Sequence, residues 1–137
     1  DEVAKKVFGV PIGPFFVMNI VKPRINLAAV QGLAALGPFY APAQSLKTCG
    51  EADESWDLTD DAQALTTTAQ TEIGDRLKGA VFLAVREELD ENIARPEAID
   101  IGARKAFAFA KGPVEMMSEL GSREVDRLVD LAQQLDV

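Results

Sequence analysis

The chain has 137 residues, 47% of them apolar and 26% charged, which is enough for one domain with a substantial core. Its net charge of −8 and the lack of a basic stripe disfavour nucleic-acid binding, and no apolar run approaches the roughly 20 residues that cross a bilayer. With no histidine, and with Cys49 as the single cysteine, the chain lacks the commonest general base, an internal disulfide and a cysteine metal cluster. We therefore expect a globular, cytoplasmic protein with no membrane span, no catalytic residue and no metal site of its own.

Glycines and prolines divide the first part of the chain into short predicted helices. One helix ends near Phe8, and Gly13-Pro14 opens a second, because proline suits a first helical position, where its missing N–H would have no partner anyway. Pro23 breaks the pattern, and the next helix is predicted over residues 25–36, ending at Gly37-Pro38. The apolar side of that helix comprises Ile25, Ala28, Ala29, Gly32, Leu33 and Leu36.

The middle of the chain predicts a short helix, an acidic loop and a long helix. The short helix covers residues 43–47, and the loop covers residues 50–56 with Trp56 folded inward. Thr59 followed by two aspartates is typical of a helix start, since a hydroxyl accepts an orphan N–H and carboxylates favour the positive end of the helix dipole. An apolar step of three or four residues then continues almost to Asn92, which predicts one helix of over thirty residues, with a bend near Gly74 as the alternative. Its apolar positions are Ala62, Leu65, Ala69, Ile73, Leu77, Ala80, Ala84 and Leu89.

Three further helices complete the pattern. The first starts at Pro96 and carries Ile99, Ala103 and Ala106, the second is opened by Gly112-Pro113, and the third covers residues 122–135. The apolar face of the last helix consists of Val125, Leu128, Val129, Ala132 and Leu135. No segment alternates with the period of two that indicates a strand, so the predicted fold class is all-α.

The sequence contains an internal repeat, in which residues 1–21 recur as residues 100–120 without a gap. Seven of the twenty-one positions are identical: Asp1, Ala4, Lys6, Phe8, Gly13, Pro14 and Met18 match Asp100, Ala103, Lys105, Phe107, Gly112, Pro113 and Met117. We predict two related helical repeats, residues 1–58 and 59–137, that together form one globular domain. A long helix precedes the motif only in the second repeat, so we interpret the first repeat as truncated and the chain as a fragment of a larger protein.

Few side chains offer reactive chemistry. Cys49 has no histidine to activate it, which favours an idle or buried thiol over a nucleophile. The stretch GLAALG at residues 32–37 departs from G-x-G-x-x-G and follows no strand, so no dinucleotide site is expected within this chain. Four carboxylates near the repeated motif favour capping or solvation over acid–base catalysis: Asp1, Asp100, Glu115 and Glu119. Three methionines are interpreted as core, with the border of an apolar ligand channel as the alternative: Met18, Met116 and Met117.

Four segments resemble the C-terminal helical region of the 3-hydroxyacyl-CoA dehydrogenase family, which is built from two related helical repeats. The segments are FGVPIGPFFVMN (8–19), LGPFYAP (36–42), IGDRLKGAVFLAVREELDENIARPEAIDIGAR (73–104) and KGPVEMMSELG (111–121). The resemblance covers nearly the whole chain. It implies a helical domain like the C-terminal domain of 6-phosphogluconate dehydrogenase.

The resemblance also implies a function in fatty acid β-oxidation or 3-hydroxybutyryl-CoA metabolism. In that family a Rossmann domain ahead of the repeats binds NAD and supplies a His-Glu pair, and the enzyme oxidises 3-hydroxyacyl-CoA to 3-oxoacyl-CoA. This chain would complete the acyl-CoA cleft and a homodimer interface, and would be inactive by itself. Its substrate-cleft residues would be Ile12, Gly13, Pro14, Phe15 and Met18. Some relatives carry a fused crotonase-type enoyl-CoA hydratase, and the alternative function is a non-catalytic helical protein–protein interaction module.

The sequence departs from the family pattern at two places. The family has an Asn before an Arg at the start of the first repeat's long helix, near the reacting thioester. The equivalent turn of the second repeat has Asp75 before Arg76, so no catalytic role is assigned to Asp75. Relatives often have Lys-Thr-Gly and Gly-Phe-Tyr after the first repeat, where this chain has Thr48-Cys49-Gly50 and Ser55-Trp56, which leaves the role of that loop open.

Overall fold

The computed structural model describes residues 1–59 and 64–134, and the regular secondary structure within them is helical throughout. The all-α prediction is confirmed. The described helices are α1 (Glu2–Phe8), α2 (Pro14–Val21), α3 (Pro23–Leu33), α4 (Gln44–Ala52), α5 (Thr67–Asp90), α6 (Pro96–Ala106), α7 (Pro113–Leu120) and α8 (Ser122–Gln133), with 3₁₀ turns at Ala34–Leu36 and Pro38–Tyr40. In the described part of the chain, each helix is too short or too polar to cross a membrane.

The helices form two compact units. Unit 1 contains Asp1 and the described residues between Ile12 and Ala64, which include α2, α3 and α4. Unit 2 contains Glu2–Pro11 and the described residues from Leu65 onward, which include α1 and α5 to α8. Asp1 therefore belongs to a different unit from the helix that follows it.

Helix α5 is the centre of unit 2, where it packs against α1, α7 and α8. Its close approach to α8 depends on Gly79, because a Cβ at that position would overlap the carbonyl oxygen of Leu128 and lie 2.9 Å from the Cβ of Ala132. The side chains of Phe82, Leu128 and Val125 are almost completely buried. Since burial of apolar side chains is the dominant favourable term in folding, the contact between α5 and α8 supplies most of the core of this unit.

Helix α5 begins later than the sequence predicts. Thr66 is its N-cap, and the Thr66 hydroxyl accepts a hydrogen bond from the Ala69 N–H at 3.2 Å. The predicted start at Thr59 is wrong, and the helix has 24 residues instead of over thirty. The two aspartates of that predicted start, Asp60 and Asp61, lie outside the described residues. Both segments offer a threonine cap, and the cap that is used directly precedes the residues that pack against α1.

The buried face of α5 also differs from the predicted one. Leu65, which precedes the helix, and Ile73 are exposed, and Ala62 lies outside the described residues. The buried positions are Gly74, Gly79, Phe82, Leu83 and Val85. A Cβ on Gly74 would lie 3.2 Å from Cγ2 of Val7 in α1, so glycine sets the distance between these helices, and α5 continues through Gly74 without interruption. The other predicted positions are half-buried: Ala69, Leu77, Ala80, Ala84 and Leu89. A count of apolar residues gives glycine no weight and therefore misplaces the centre of the buried face.

The remaining helices of unit 2 follow the sequence more closely. The predicted starts at Pro96 and Ser122 are confirmed. In α6, Ala103 is buried, Ile99 is half-buried and Ala106 is exposed. Four predicted core positions of α8 are buried, namely Val125, Leu128, Val129 and Ala132, and Leu135 lies outside the described residues.

In unit 1, α3 contacts both α2 and α4. Leu27 and Leu46 are buried, and a Cβ on Gly50 would lie 2.6 Å from the Cβ of Leu27, so the glycine permits α4 to approach α3. Pro23 is the first residue of α3, and the break falls on Lys22, whose φ of 90° ends α2. A proline that interrupts one helix thus opens the next.

Two sequence predictions for unit 1 are wrong. The predicted apolar side of α3 is exposed, with Ile25 and Leu33 at 49% and 46% exposure and with Ala28, Ala29, Gly32 and Leu36 exposed as well. Helix α4 starts at Gln44 and continues to Ala52, so the first part of the predicted acidic loop is helical. The helix ends at Asp53, which has a left-handed φ of 53°. Trp56 is half-buried after this end.

Candidate functional site

The five residues of the predicted substrate cleft lie at the start of α2 in unit 1. Ile12 and Phe15 are 43% and 39% exposed, and Pro14 is exposed as the first residue of the helix. Met18 is half-buried one turn later, and Gly13 is buried. The segment therefore presents accessible apolar side chains around a buried glycine.

A carboxylate holds the start of α2. The Phe15 N–H donates to Oδ1 of Asp1 at 2.8 Å, and the Phe16 N–H donates to Oδ2 at 3.1 Å. These N–H groups are among those that a helix start leaves without a partner, and the negative charge lies at the positive end of the helix dipole. Gly13 is required because a Cβ there would overlap the Asp1 side chain. Asp1 therefore acts through the backbone as a cap.

The loop after α4 is fixed to α2 by a side-chain amide. Asn19 Nδ2 donates to the carbonyl oxygen of Trp56 at 2.9 Å, and the Trp56 N–H donates to Asn19 Oδ1 at 2.8 Å. The Trp56 ring meets the Phe15 ring edge to face, with centroids 4.9 Å apart. The buried Trp56 Nε1 has no hydrogen-bond partner. The inward position predicted for Trp56 agrees with this contact, whereas the role of Asn19 was not anticipated, because nothing in the sequence marks an asparagine as a clamp on a residue 37 positions away.

The same capping geometry occurs 99 residues later in unit 2. The Val114 N–H donates to Oδ1 of Asp100 at 2.7 Å, and the Glu115 N–H donates to Oδ2 at 3.1 Å. A Cβ on Gly112 would overlap the Asp100 side chain. Asp100 is buried, so in unit 2 the cap is shielded from water. In the sequence these features appear as Asp, eleven intervening residues and Gly-Pro.

Backbone features also match at the offset of 99 residues. Helices α2 and α7 have eight residues each and end at residues with positive φ, 90° at Lys22 and 82° at Gly121. The N–H groups of these two residues donate to the carbonyl oxygens of Met18 and Met117 at 3.0 and 3.1 Å. Positive φ also occurs at matched positions before the Gly-Pro, 67° at Gly9 and 57° at Ala108. Each of these pairs contains one non-glycine, Lys22 and Ala108, a residue type that adopts positive φ rarely.

The carboxylates considered for acid–base work are engaged in structural contacts. Asp1 and Asp100 cap helices, as described above. Glu115 lies 3.6 Å from Arg104, and Glu119 accepts hydrogen bonds from Lys111 Nζ at 2.7 and 2.6 Å. The Glu119 contact raises the pKa of Lys111 above its usual value. These arrangements fit structural roles, and Cys49 is half-buried on α4.

Unit 2 contains an open cleft of about 520 Å³. Met116 lines it together with apolar side chains of α1 and α7, and three lysines stand at its border. Each lysine has a partner: Lys6 donates to Gln70 at 3.1 Å, Lys78 lies 2.9 Å from Asp75, and Lys111 contacts Glu119. Of the methionines proposed to border a ligand channel, Met116 alone among the described residues lines this cleft, while Met18 belongs to unit 1.

Asp75, at the position of the family's Asn, forms an ion-pair network in unit 2. Arg127 donates to its Oδ2 at 2.8 Å, and Lys78 lies 2.9 Å from its Oδ1. Partial burial by itself would raise the pKa of Asp75, but the hydrogen bonds from Arg127 and Lys78 outweigh it and hold the pKa below its usual value. Arg127 also binds Glu124, which lowers the pKa of Glu124. Because both carboxylate oxygens of Asp75 have a cationic partner and Arg127 lies on α8, Asp75 joins α5 to α8.

Among residues 1–59 and 64–134, no three His, Cys, Asp or Glu side chains converge to hold a metal ion. Comparison with protein-family models, curated proteins and solved structures gives no match for this chain. A functional assignment therefore rests on the geometry at α2 and on the sequence resemblance described above.

Proposed function

We propose that this chain is the helical part of an NAD-dependent 3-hydroxyacyl-CoA dehydrogenase, in which it closes the acyl-CoA cleft and contributes to a homodimer interface. The observation that carries the proposal is the accessible apolar start of α2, where Ile12 and Phe15 are exposed next to half-buried Met18. An acyl chain needs an apolar wall of this kind, and the buried Gly13 leaves room for the Asp1 carboxylate that caps α2 behind it.

The proposal includes two related helical repeats, residues 1–58 and 59–137, with the first one truncated and both belonging to one domain of the 6-phosphogluconate dehydrogenase C-terminal type. The matched caps at Asp1 and Asp100 and the matched positive φ angles at Lys22 and Gly121 support a common structural plan. The two compact units do not coincide with these two repeats, because α1 belongs to the first repeat in the sequence but to unit 2 in the structure. The repeat boundaries describe internal similarity and stay a prediction.

Hydride transfer would be the task of another domain. NAD would bind to a Rossmann domain outside this chain, in a cytoplasmic protein, and that domain would supply the general base. This chain has no histidine and no G-x-G-x-x-G stretch, so we expect the purified chain to show no oxidation of 3-hydroxyacyl-CoA at any NAD concentration. Turnover by the purified chain would contradict this division of roles.

The test uses a longer protein that joins this chain to its NAD-binding domain, with Met18→Asp as the change. A charge at the acyl end of the cleft should lower kcat/KM more for long acyl chains than for short ones. Met117→Asp is the matched control, because Met117 occupies the same position in the second motif and is also half-buried. Its effect should not depend on acyl length. An equal loss at every acyl length for Met18→Asp, together with a lowered melting temperature, would assign Met18 to the core and remove the support for the cleft.

The alternative function is a non-catalytic helical interaction module. The observation that favours it is the amount of exposed apolar surface on α2 and α3, with Phe16, Ile20 and Ile25 all exposed. Titration with acyl-CoA of increasing chain length separates the two functions, because Trp56 contacts Phe15 and is the single tryptophan. A change in Trp56 emission whose midpoint falls with acyl length supports the dehydrogenase, and an unchanged emission supports the module.

A further inference from the structure

A segment without regular secondary structure, residues 55–58, lies against the start of α2 in unit 1. We call this segment the Trp56 cover. Trp56 is its half-buried residue, and every other residue between positions 51 and 59 is exposed. Few buried apolar contacts are typical of a segment that opens locally at a small cost in free energy. The position of the cover therefore depends on the contacts that Trp56 makes.

Asn19 supplies the polar part of these contacts. Its amide binds both backbone groups of Trp56, since Nδ2 donates to the Trp56 carbonyl oxygen at 2.9 Å and Oδ1 accepts from the Trp56 N–H at 2.8 Å. Phe15 precedes Asn19 by four residues on α2, and side chains at this spacing are neighbours on a helix surface. Asn19 thus holds the backbone of the cover where the Trp56 ring meets the Phe15 ring.

The Trp56 ring covers part of the apolar site at the start of α2. Phe15 is 39% exposed beside the ring, and half-buried Met18 follows Phe15 by three residues, which is also a neighbouring position on the helix. The exposed part of Phe15 is accessible to a short apolar chain while the cover is closed. A longer chain needs the part of Phe15 that Trp56 contacts, and therefore needs the ring to move.

The closed position leaves one polar group without compensation. Trp56 Nε1 is buried and has no hydrogen-bond partner among the described residues. A buried unpaired donor costs free energy, and water would bind this N–H once the ring left Phe15. This gain offsets part of the apolar contact that opening would lose. The closed and open positions therefore differ less in free energy than the burial of the ring alone implies.

We propose that the Trp56 cover limits the length of the apolar site at the start of α2 and that a long acyl chain displaces it. Trp56 is then a specificity-determining residue, and Asn19 is a positioning residue that holds the cover closed. The acyl identity of the ligand rests on the proposed function. Because a long chain binds the open position, its apparent affinity is lowered by the fraction of molecules that are open, whereas a short chain escapes this reduction.

The first experiment measures the cover without a ligand. Trp56 is the single tryptophan, so acrylamide quenching of its fluorescence reports on solvent access to the cover. Asn19→Ala removes both hydrogen bonds and should raise the quenching constant about twofold, because the open position exposes the ring. The matched control is Asn26→Ala, since the Asn26 amide also donates to two backbone carbonyls, those of Met18 and Lys22, and its loss should leave the quenching unchanged. Circular dichroism at the same temperature shows that both variants are folded.

The second experiment adds two thioesters, butyryl-CoA and dodecanoyl-CoA, below the concentration at which the longer one forms micelles. Calorimetric titration compares the original chain with Asn19→Ala and Trp56→Ala. Both variants should bind dodecanoyl-CoA about threefold or more tightly than the original chain does, because they remove the cost of opening. All three proteins should bind butyryl-CoA equally. In the original chain, dodecanoyl-CoA should also raise the acrylamide quenching of Trp56, and butyryl-CoA should not.

Three outcomes would overturn the proposal. Equal quenching of Asn19→Ala and Asn26→Ala would show that Asn19 does not hold the cover. A ratio of the two thioester affinities that is the same in all three proteins would show that Trp56 does not select acyl length, and would leave the proposed function intact. Absence of thioester binding to all three proteins would overturn the proposed function and acyl selection together. The two failures are distinguishable, because only the second of these outcomes retains binding.

Discussion

Replacing Asp100 with alanine tests whether the buried cap holds α7 in place. The change removes two hydrogen bonds from a charged acceptor and leaves the N–H groups of Val114 and Glu115 without a partner. Loss of a cap costs about 0.5–2 kcal/mol, and a hydrogen bond to a charged group is worth about 1.5–3 kcal/mol. Alanine within α6 returns about 0.5 kcal/mol through its helix propensity. We therefore expect a net loss of about 2 kcal/mol in the free energy of unfolding.

Burial decides the size of this effect, and the repeated motif supplies an internal comparison. Asp1 makes the same two hydrogen bonds, but to N–H groups of the exposed residues Phe15 and Phe16, where water can replace the carboxylate. Asp1→Ala should therefore cost less, about 1 kcal/mol or below. Asp100→Asn, which keeps one acceptor oxygen, should fall between the alanine variant and the original.

Urea unfolding followed by far-UV circular dichroism measures these differences, with Trp56 fluorescence as a separate probe of unit 1. Asp130→Ala is the matched control, because Asp130 is exposed within α8 and its replacement gains the same helix propensity. The control should be neutral or slightly stabilising. If Asp100→Ala costs no more than Asp130→Ala, the hydrogen bonds to Asp100 do not stabilise α7 and the reasoning fails.

Gly79→Ala should lower the free energy of unfolding by about 3 kcal/mol or more, because the new Cβ overlaps the Leu128 carbonyl and forces α5 away from α8. The control Gly102→Ala, on α6, meets no atom within 4 Å and should stabilise the chain by about 1 kcal/mol. Equal melting temperatures for the two variants would contradict this prediction. Acidification should weaken the contact between α5 and α8, because the pKa of Asp75 is lower in the folded chain than in the unfolded chain. The ionised Asp75 therefore stabilises the fold above its unfolded pKa of about 4, and this stabilisation is lost as the pH falls through its folded pKa. The difference in unfolding free energy between the original chain and Asp75→Asn should therefore shrink from pH 6 to pH 3, and a constant difference would show that the contact with half-exposed Arg127 contributes nothing.

The sequence by itself determined the fold class and much of the helix order. Prolines at positions 14, 96 and 113 fix the starts of α2, α6 and α7, because the proline ring has a helical φ and needs no N–H partner. The strong apolar periodicity of α8 identified its buried face. The repeat also identified Asp1 and Asp100 as matched positions, and the residues favoured capping or solvation over acid–base catalysis for both.

The tertiary structure decided which apolar faces are buried. Leu33 and Leu128 are equally apolar, yet Leu33 is exposed and Leu128 is completely buried, because α5 packs on α8, whereas within unit 1 helix α3 buries Leu27 against α4 and leaves Leu33 on another side. Gly74 and Gly79 set that packing, although a periodicity count ignores glycine. Contacts between residues far apart in the chain, such as Asn19 with Trp56, leave no local signal in the sequence. Local propensity fixes where a helix begins, but the burial of its face depends on the partner that the whole fold brings to it.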